Sequence, residues 1–189
     1  MAGIREIIAP YAAIMAVTVS NPVYEAARTM LAVREYQDRA VPTEVITRVA
    51  RTAHLTASAG NGQPWHFVVV QDRERLRRLG QLVRTGPYIA RSAFAIVVGI
   101  EKDNRTAVSD ASRAIESMML TAWAEGVGSN WTGFAGLDPV AREVGLPEKM
   151  TAIAVVPFGY PARNLGKGIK KRRPFDEVVS AEVFGTALS

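Results

Sequence analysis

The sequence predicts a layered fold of the α/β or α+β class, and three observations carry that expectation. Helix-spaced and strand-type apolar runs alternate along the chain. The 189 residues, 48% hydrophobic and 22% charged, suffice for one packed core without staples. No repeat, low-complexity tract or internal linker points to another architecture.

The elements follow in order. The apolar part of residues 1–21 is interrupted by Arg5, Glu6 and Pro10, and its uncharged stretch falls short of the ~20 residues a spanning helix needs. One Arg balanced by one Glu also makes a poor signal-peptide start. Residues 1–21 are therefore expected to form an N-terminal extension packed on the body or on a partner subunit, residues 22–189 a single domain, and no membrane partner is expected. Over residues 22–33, Val23, Ala26, Ala27, Met30 and Leu31 fall at helical spacing, with Asn21 as N-cap before Pro22. A second helix is signalled by Pro42, Thr43 and Glu44 leading into Val45, Ile46, Val49, Ala50 and Ala53.

Small, polar, Gly-rich residues 56–64 then open into Trp65, Phe67, Val68, Val69 and Val70, a run of strand type. A charged helix is expected around residues 73–84, and a buried strand over residues 93–98. Ser109 or Asp110 caps a long helix in which Ile115, Met118, Met119, Ala122 and Trp123 form a stripe, and Gly126 ends it. Residues 127–136 read as a loop with a short strand, residues 139–144 as a short helix, and residues 152–158 as a third buried strand.

The chemistry is bounded first by what is missing. Zero cysteine excludes disulfides, thiolate zinc, iron–sulfur clusters and a cysteine nucleophile, and agrees with a reducing, cytoplasmic setting. Two histidines, His54 and His66, leave little for a metal site or a triad, and no metal is expected. There is no G-x-G-x-x-G, no G-x-x-x-x-G-K-[ST] and no G-x-S-x-G. The net charge of +5 is concentrated in residues 163–173, which hold Arg163, Lys167, Lys170, Lys171, Arg172 and Arg173 with no acid. Such a run is a solvated face, a nucleic-acid patch or a phosphate site. The nucleic-acid reading lacks interleaved aromatics, with only Phe175 nearby, so no nucleic-acid partner is expected.

The stretch Ser58-Ala59-Gly60-Asn61-Gly62-Gln63-Pro64-Trp65-His66-Phe67 stands above background, because a tight loop needs its glycines but not Ser, Asn and Gln together. Here the sequence resembles the flavin-dependent nitroreductase superfamily, in which S-x-x-N-x-Q-P-W leads into the first central strand. Residues 32–42 are similar to the family's R-x-S-x-[RK]-x-F opening, residues 126–133 to its "GLGS-W-G" stretch, and Phe158-Gly159-Tyr160-Pro161 with the basic-Pro-acidic segment 170–179 to its ending. The pieces occur in order over about residues 23–180.

The resemblance implies an α+β fold with a central mixed sheet flanked by helices, an intertwined homodimer, and FMN bound at its interface. It implies that Arg34 faces the flavin and favours its anionic reduced form. It implies that Ser58, Ala59, Asn61 and Gln63 lie in the loop lent to the other subunit's flavin, that Asn130, Trp131, Thr132 and Gly133 lie along the ring system, and that Lys170 and Arg172 hold the phosphate. Tyr88, Trp131 and Phe134 are candidates for the pocket wall.

The implied activity is an FMN-dependent NAD(P)H oxidoreductase, with ping-pong hydride transfer through flavin N5 to an acceptor such as a nitroaromatic, quinone or enone. No catalytic side chain is assigned, since the cofactor carries the chemistry. The alternative is a non-catalytic, flavin-sequestering protein. Two departures from the family pattern matter. Met30 and Ala32 stand where an Arg and a Ser are usual, and neither can bond a phosphate. Only about ten residues separate the strand at residues 93–98 from the long helix, leaving little room for a lid.

Overall fold

A computed structural model describes residues 21–133, 135–166, 168 and 170–188. The expected N-terminal extension, apart from Asn21, lies outside the described residues, as does Phe134. Helix α1 (Pro22–Thr29) starts as its sequence dictates. The Asn21 side chain accepts hydrogen bonds from the amides of Val23 and Tyr24 at 3.1 and 3.0 Å, and Pro22 occupies the first turn. The helix ends two residues before the apolar spacing does at Leu31. Met30 is its C-cap with ψ 127°, because the chain beyond turns extended to pair elsewhere.

Helix α2 (Thr43–Leu55) and a single 3-10 turn (Ala59–Asn61) lead to strand β1 (Trp65–Val70). Helix α3 (Arg73–Leu82) is capped by Asp72, whose carboxylate accepts from the Arg75 amide at 2.8 Å. A second 3-10 turn (Pro87–Arg91) precedes strand β2 (Phe94–Glu101). Helix α4 (Ala107–Ala124) follows. Its N-cap is Thr106 rather than Ser109 or Asp110, and Asp110 instead lies inside the first turn, buried, with its carboxylate turned toward residues 58–61. Strand β3 (Gly128–Ser129), helix α5 (Asp138–Glu143) and strand β4 (Met150–Gly159) complete the sheet.

The strand order is β1-β2-β4-β3, and every named pair is antiparallel. Of the mixed strand directions expected, the described residues hold one parallel pairing, an isolated bridge between Ala32 and Ser129. The residues of β2 alternate between two packed faces. Phe94, Ile96, Val98 and Ile100 meet α2 and α4, while Ala95 and Val97 join Leu76, Leu79 and Val140 from α3 and α5. Burial on both faces is why this strand reads as a continuous apolar run rather than an alternating one. Where β2 begins, the Phe94 and Phe158 rings stack at 4.7 Å and 7°. Among the described residues, no helix is long and apolar enough to cross a membrane.

Candidate functional site

The site is assembled around residues 32–37, which run as an extended seam beside β3 and the end of β4. The Val33 amide donates to the Ser129 carbonyl at 2.9 Å, the Gln37 amide to the Tyr160 carbonyl at 2.8 Å, and the Ala162 amide to the Glu35 carbonyl at 2.9 Å. Two glycines admit this seam. A Cβ on Gly128 would fall 2.7 Å from Cβ of Val33, and one on Gly159 would fall 2.8 Å from the Tyr36 ring. Val33 and Tyr36 are thereby buried, and the intervening Arg34 and Glu35 are exposed. The Tyr36 hydroxyl donates to the Val33 carbonyl at 2.7 Å. Burial pushes its phenol up, with Tyr88 adding and Arg34 opposing, so it remains a neutral donor.

Gly128→Ala is therefore expected to destabilise the protein by about 1–3 kcal/mol, since it forces Val33 off a packed surface. A lowered urea midpoint with unchanged m-value is the check.

Beside the seam, Asn130 is 6% exposed and its Nδ2 donates to the Tyr88 hydroxyl at 2.6 Å and to the Trp131 carbonyl at 2.9 Å. Thr132 is buried. Its backbone exchanges hydrogen bonds with Val155 at 3.1 and 2.9 Å, and its hydroxyl shares one with Thr85 at 3.2 Å. Gly133 has φ +78° and lies against Leu137. A groove of about 170 Å³ lies between the two halves of the seam, with Arg34 and Arg163 in its lining.

The basic run reaches the same region through α1. Gly168 sits so close to the Thr29 carbonyl that a Cβ there would overlap it, and Lys170 Nζ donates to the Ala27 carbonyl. Arg172 is exposed and donates to the Lys171 carbonyl at 3.1 Å. Met30 is partly buried against the core, and Ala32 offers only its backbone. Arg28 is paired with Glu25 at 2.6 Å and is not directed to the place of Met30.

The Gly-rich loop is elsewhere. Ser58 Oγ accepts from the Gln63 amide at 2.9 Å, and the backbone is left-handed at Gly60, Asn61 and Gln63, with φ 55°, 56° and 49°. Ala59, Asn61 and Gln63 are exposed. The loop enters β1 at Trp65, opposite Ile100, whereas Ser129 pairs with Phe158, opposite Phe94. Six residues of β2 separate those ends, roughly 20 Å at the rise of a strand. Within one chain the expected site residues thus form two groups. Arg34, Asn130 and Trp131 lie toward one end with Lys170 on the adjoining helix, Thr132 and Gly133 follow beside the middle of β4, and Ser58, Ala59, Asn61 and Gln63 lie at the other end.

Sequence reasoning missed the part played by Asp110. Burial alone would raise its pKa, but hydrogen bonds from Thr106, the Ala59 amide and Arg113, with the Arg113 charge, outweigh it and hold the carboxyl below its ordinary value. A group whose folded pKa is depressed adds stability above its unfolded value, and that contribution is lost as pH falls. The wild-type protein is therefore expected to lose more stability than Asp110→Asn as pH drops below about 4. Urea midpoints measured for both from pH 7 to 3 give the difference. In sequence Asp110 reads only as a candidate cap of the long helix, so nothing marked its contact with a loop 51 residues away.

Helices on both faces of a four-stranded sheet, with an extended seam and a basic tail meeting at one end, define an α+β protein of nitroreductase-like fold. The nitroreductase family model matches residues 28–91 and 85–160. A protein of Methanothermobacter thermautotrophicus named "Putative NADH dehydrogenase/NAD(P)H nitroreductase" is 36% identical over 152 residues, which are 76% of this chain and 80% of that one. A solved structure from Bacteroides thetaiotaomicron bearing the same name superposes with a TM-score of 0.79 at 25% identity, over 85% of this chain and 98% of the other. An FMN-dependent nitroreductase structure from Clostridium difficile gives 0.78 at 24% identity, over 85% and 99%. The chain belongs to the nitroreductase family.

Proposed function

We propose that this protein is an FMN-dependent NAD(P)H oxidoreductase, active as a homodimer in the cytoplasm, that passes reducing equivalents to a small acceptor such as a nitroaromatic, quinone or enone. The observation that carries the reading is the zipped seam, which presents Arg34 beside the Asn130–Gly133 segment with Lys170 docked on the adjoining helix end. The names of the Methanothermobacter relative and the Clostridium neighbour supply the nicotinamide and the FMN.

The residues present fit FMN in chemistry. Arg34, Lys170 and Arg172 are cations suited to a phosphate and to an anionic ring, and Lys170 keeps two N–H donors beyond the one given to Ala27. Exposed Asn61 and Gln63 offer amides to a heteroaromatic edge. Bound FMN supplies the hydride-accepting and hydride-donating chemistry, so the protein's work is to bind, orient and exclude water. Asn130, tied to Tyr88, fixes the segment along which the ring system would lie, and Trp131 walls it.

The homodimer is supported by the two ends of the sheet. Residues roughly 20 Å apart along β2 cannot meet one flavin from a single chain, whereas a second copy can offer its Ser58–Gln63 loop to the first copy's Arg34 end. The segment beyond β4 also leaves Phe175, Val178, Val183, Phe184 and Leu188 exposed, an apolar surface that a second copy would cover. Both packed faces share β2 and β4, which supports one domain over residues 22–189. The second reading, flavin sequestration without turnover, is favoured by Met30 and Ala32.

The test is the visible spectrum of purified protein, as isolated and after FMN addition and desalting, followed by anaerobic NADH and NADPH. A retained flavin spectrum that bleaches is expected. Retention without bleaching favours sequestration, and no retained flavin overturns both readings. In the same assay Arg34→Ala is expected to weaken FMN binding by roughly 10–100-fold, the range of one hydrogen bond to a charged group. Wild-type affinity and reduction rate in that variant remove Arg34 from the site.

A further inference from the structure

Among the described residues, residues 58–63 receive hydrogen bonds from outside at two places: the Trp65 amide of β1 donates to the Gln63 carbonyl at 2.8 Å, and Asp110 holds the Ala59 amide. Its side chain is 1% exposed, and its two oxygens accept from the Ala59 amide at 3.2 and 3.3 Å. The carboxylate is itself fixed, by Thr106 Oγ1 at 2.9 Å and by the Arg113 guanidinium. Ala59 opens the 3-10 turn. Its carbonyl accepts from Gly62 at 3.0 Å, and the preceding Ser58 carbonyl accepts from Asn61 at 3.0 Å. The turn then passes through the left-handed Gly60 and Asn61 to left-handed Gln63, whose amide closes back on Ser58 Oγ.

Left-handed Asn and Gln are uncommon conformations that persist only where the surroundings hold them. The loop's own hydrogen bonds close the turn but do not attach it to the body. Attachment falls to the strand entry on one side, where the Trp65 amide donates to Gln63 and the Pro64 carbonyl accepts from the Glu101 amide at 3.1 Å, and on the other side to Asp110, the one side chain of the body that holds the turn itself among the described residues. Asp110 shares the buried face of α4 with Ala107, Ala111 and Ala114, so the first turn of that helix links the core to a loop that is otherwise exposed.

We propose that Asp110 is a positioning residue for the cofactor loop: by holding the Ala59 amide it sets where Ser58, Asn61 and Gln63 stand, and hence how well one subunit's loop fits the flavin of the other. This rests on the proposed function, in which that loop meets FMN. Asp110 touches no reacting atom in this account, and it acts through the loop alone.

The experiment compares wild type, Asp110→Ala, Asp110→Asn and Met118→Ala, the last a destabilising control buried on the same helix eight residues beyond Asp110, about 12 Å along its axis. Amide hydrogen exchange of residues 58–63 is read without cofactor, and FMN affinity is read by flavin fluorescence. Asp110→Ala is expected to raise exchange at Ala59, Asn61 and Gly62 and to weaken FMN binding by about tenfold or more, as one lost hydrogen bond to a charged acceptor would. Asp110→Asn retains an oxygen acceptor and is expected to restore part of both, which also serves if the alanine variant does not fold. Met118→Ala is expected to lower the melting temperature while leaving both readings at wild type. Unchanged loop exchange, or loosened exchange with unchanged FMN affinity, overturns the proposal. So does an equal effect in Met118→Ala. A wild-type protein that takes up no FMN overturns the proposed function and this inference with it, and is recognised before any variant is compared.

Discussion

Replacing Lys170 and Arg172 together by alanine is expected to bring the affinity for FMN down to the affinity for riboflavin, a loss of about two orders of magnitude or more. The size follows from two charge-assisted hydrogen bonds to a phosphate, each worth about 1.5–3 kcal/mol. The effect is expected to be large here because residues 28, 30 and 32 are not placed to share the load. Met30 is folded into the core, Ala32 offers a backbone pair with Ser129, and Arg28 is held by Glu25. Lys170, by contrast, is docked on the end of α1 through Gly168. Titrating both flavins against wild type and variant separates the causes. An equal loss for FMN and riboflavin would mean that the pair acts through the fold and not on the phosphate.

Phe158→Ala is expected to cost about 3–5 kcal/mol of stability, roughly 10 °C in melting temperature. The ring is fully buried in the core between the sheet and its helices and stacked on Phe94, so its removal leaves a cavity among packed side chains. The damage is also expected to reach the site. Phe158 pairs with Phe94 on one side and Ser129 on the other, and its carbonyl accepts from the Ala93 amide at 2.8 Å. Ser129 in turn receives the Val33 amide that begins the seam carrying Arg34. Differential scanning calorimetry with and without FMN checks both parts: a lower melting temperature, and a smaller upward shift on adding the cofactor. A full-sized FMN shift in the destabilised variant would show that the Phe94–Phe158 stack and the seam are independent.

Much of the fold was legible in local pattern. Asn21-Pro22 announces the start of α1, the stripe from Ile115 to Trp123 announces α4, and the unbroken apolar run of β2 announces a strand buried on both faces. These signals are local because a cap, a helical face and a strand are each decided by residues within a turn or two of one another. The ends of elements were less legible. Met30 and Leu31 continue the helical spacing of α1, but the amide of Val33 finds its partner in Ser129, and that pairing stops the helix at Thr29.

The sequence by itself determined the order and type of the main elements, the absence of thiol chemistry, the place of the basic run and the motifs that mark the nitroreductase family. Only the tertiary structure decided which of those motifs stand together. It put Arg34 beside Asn130 and Lys170 on the end of α1, and it left the Ser58–Gln63 loop at the far end of β2. It also made Asp110 the anchor of that loop, across 51 residues of chain, where local reasoning makes it a cap. The physical reason is range. Periodicity and capping report on neighbours along the chain, whereas the partner of an extended backbone or a buried carboxylate comes from whichever distant segment packing brings alongside.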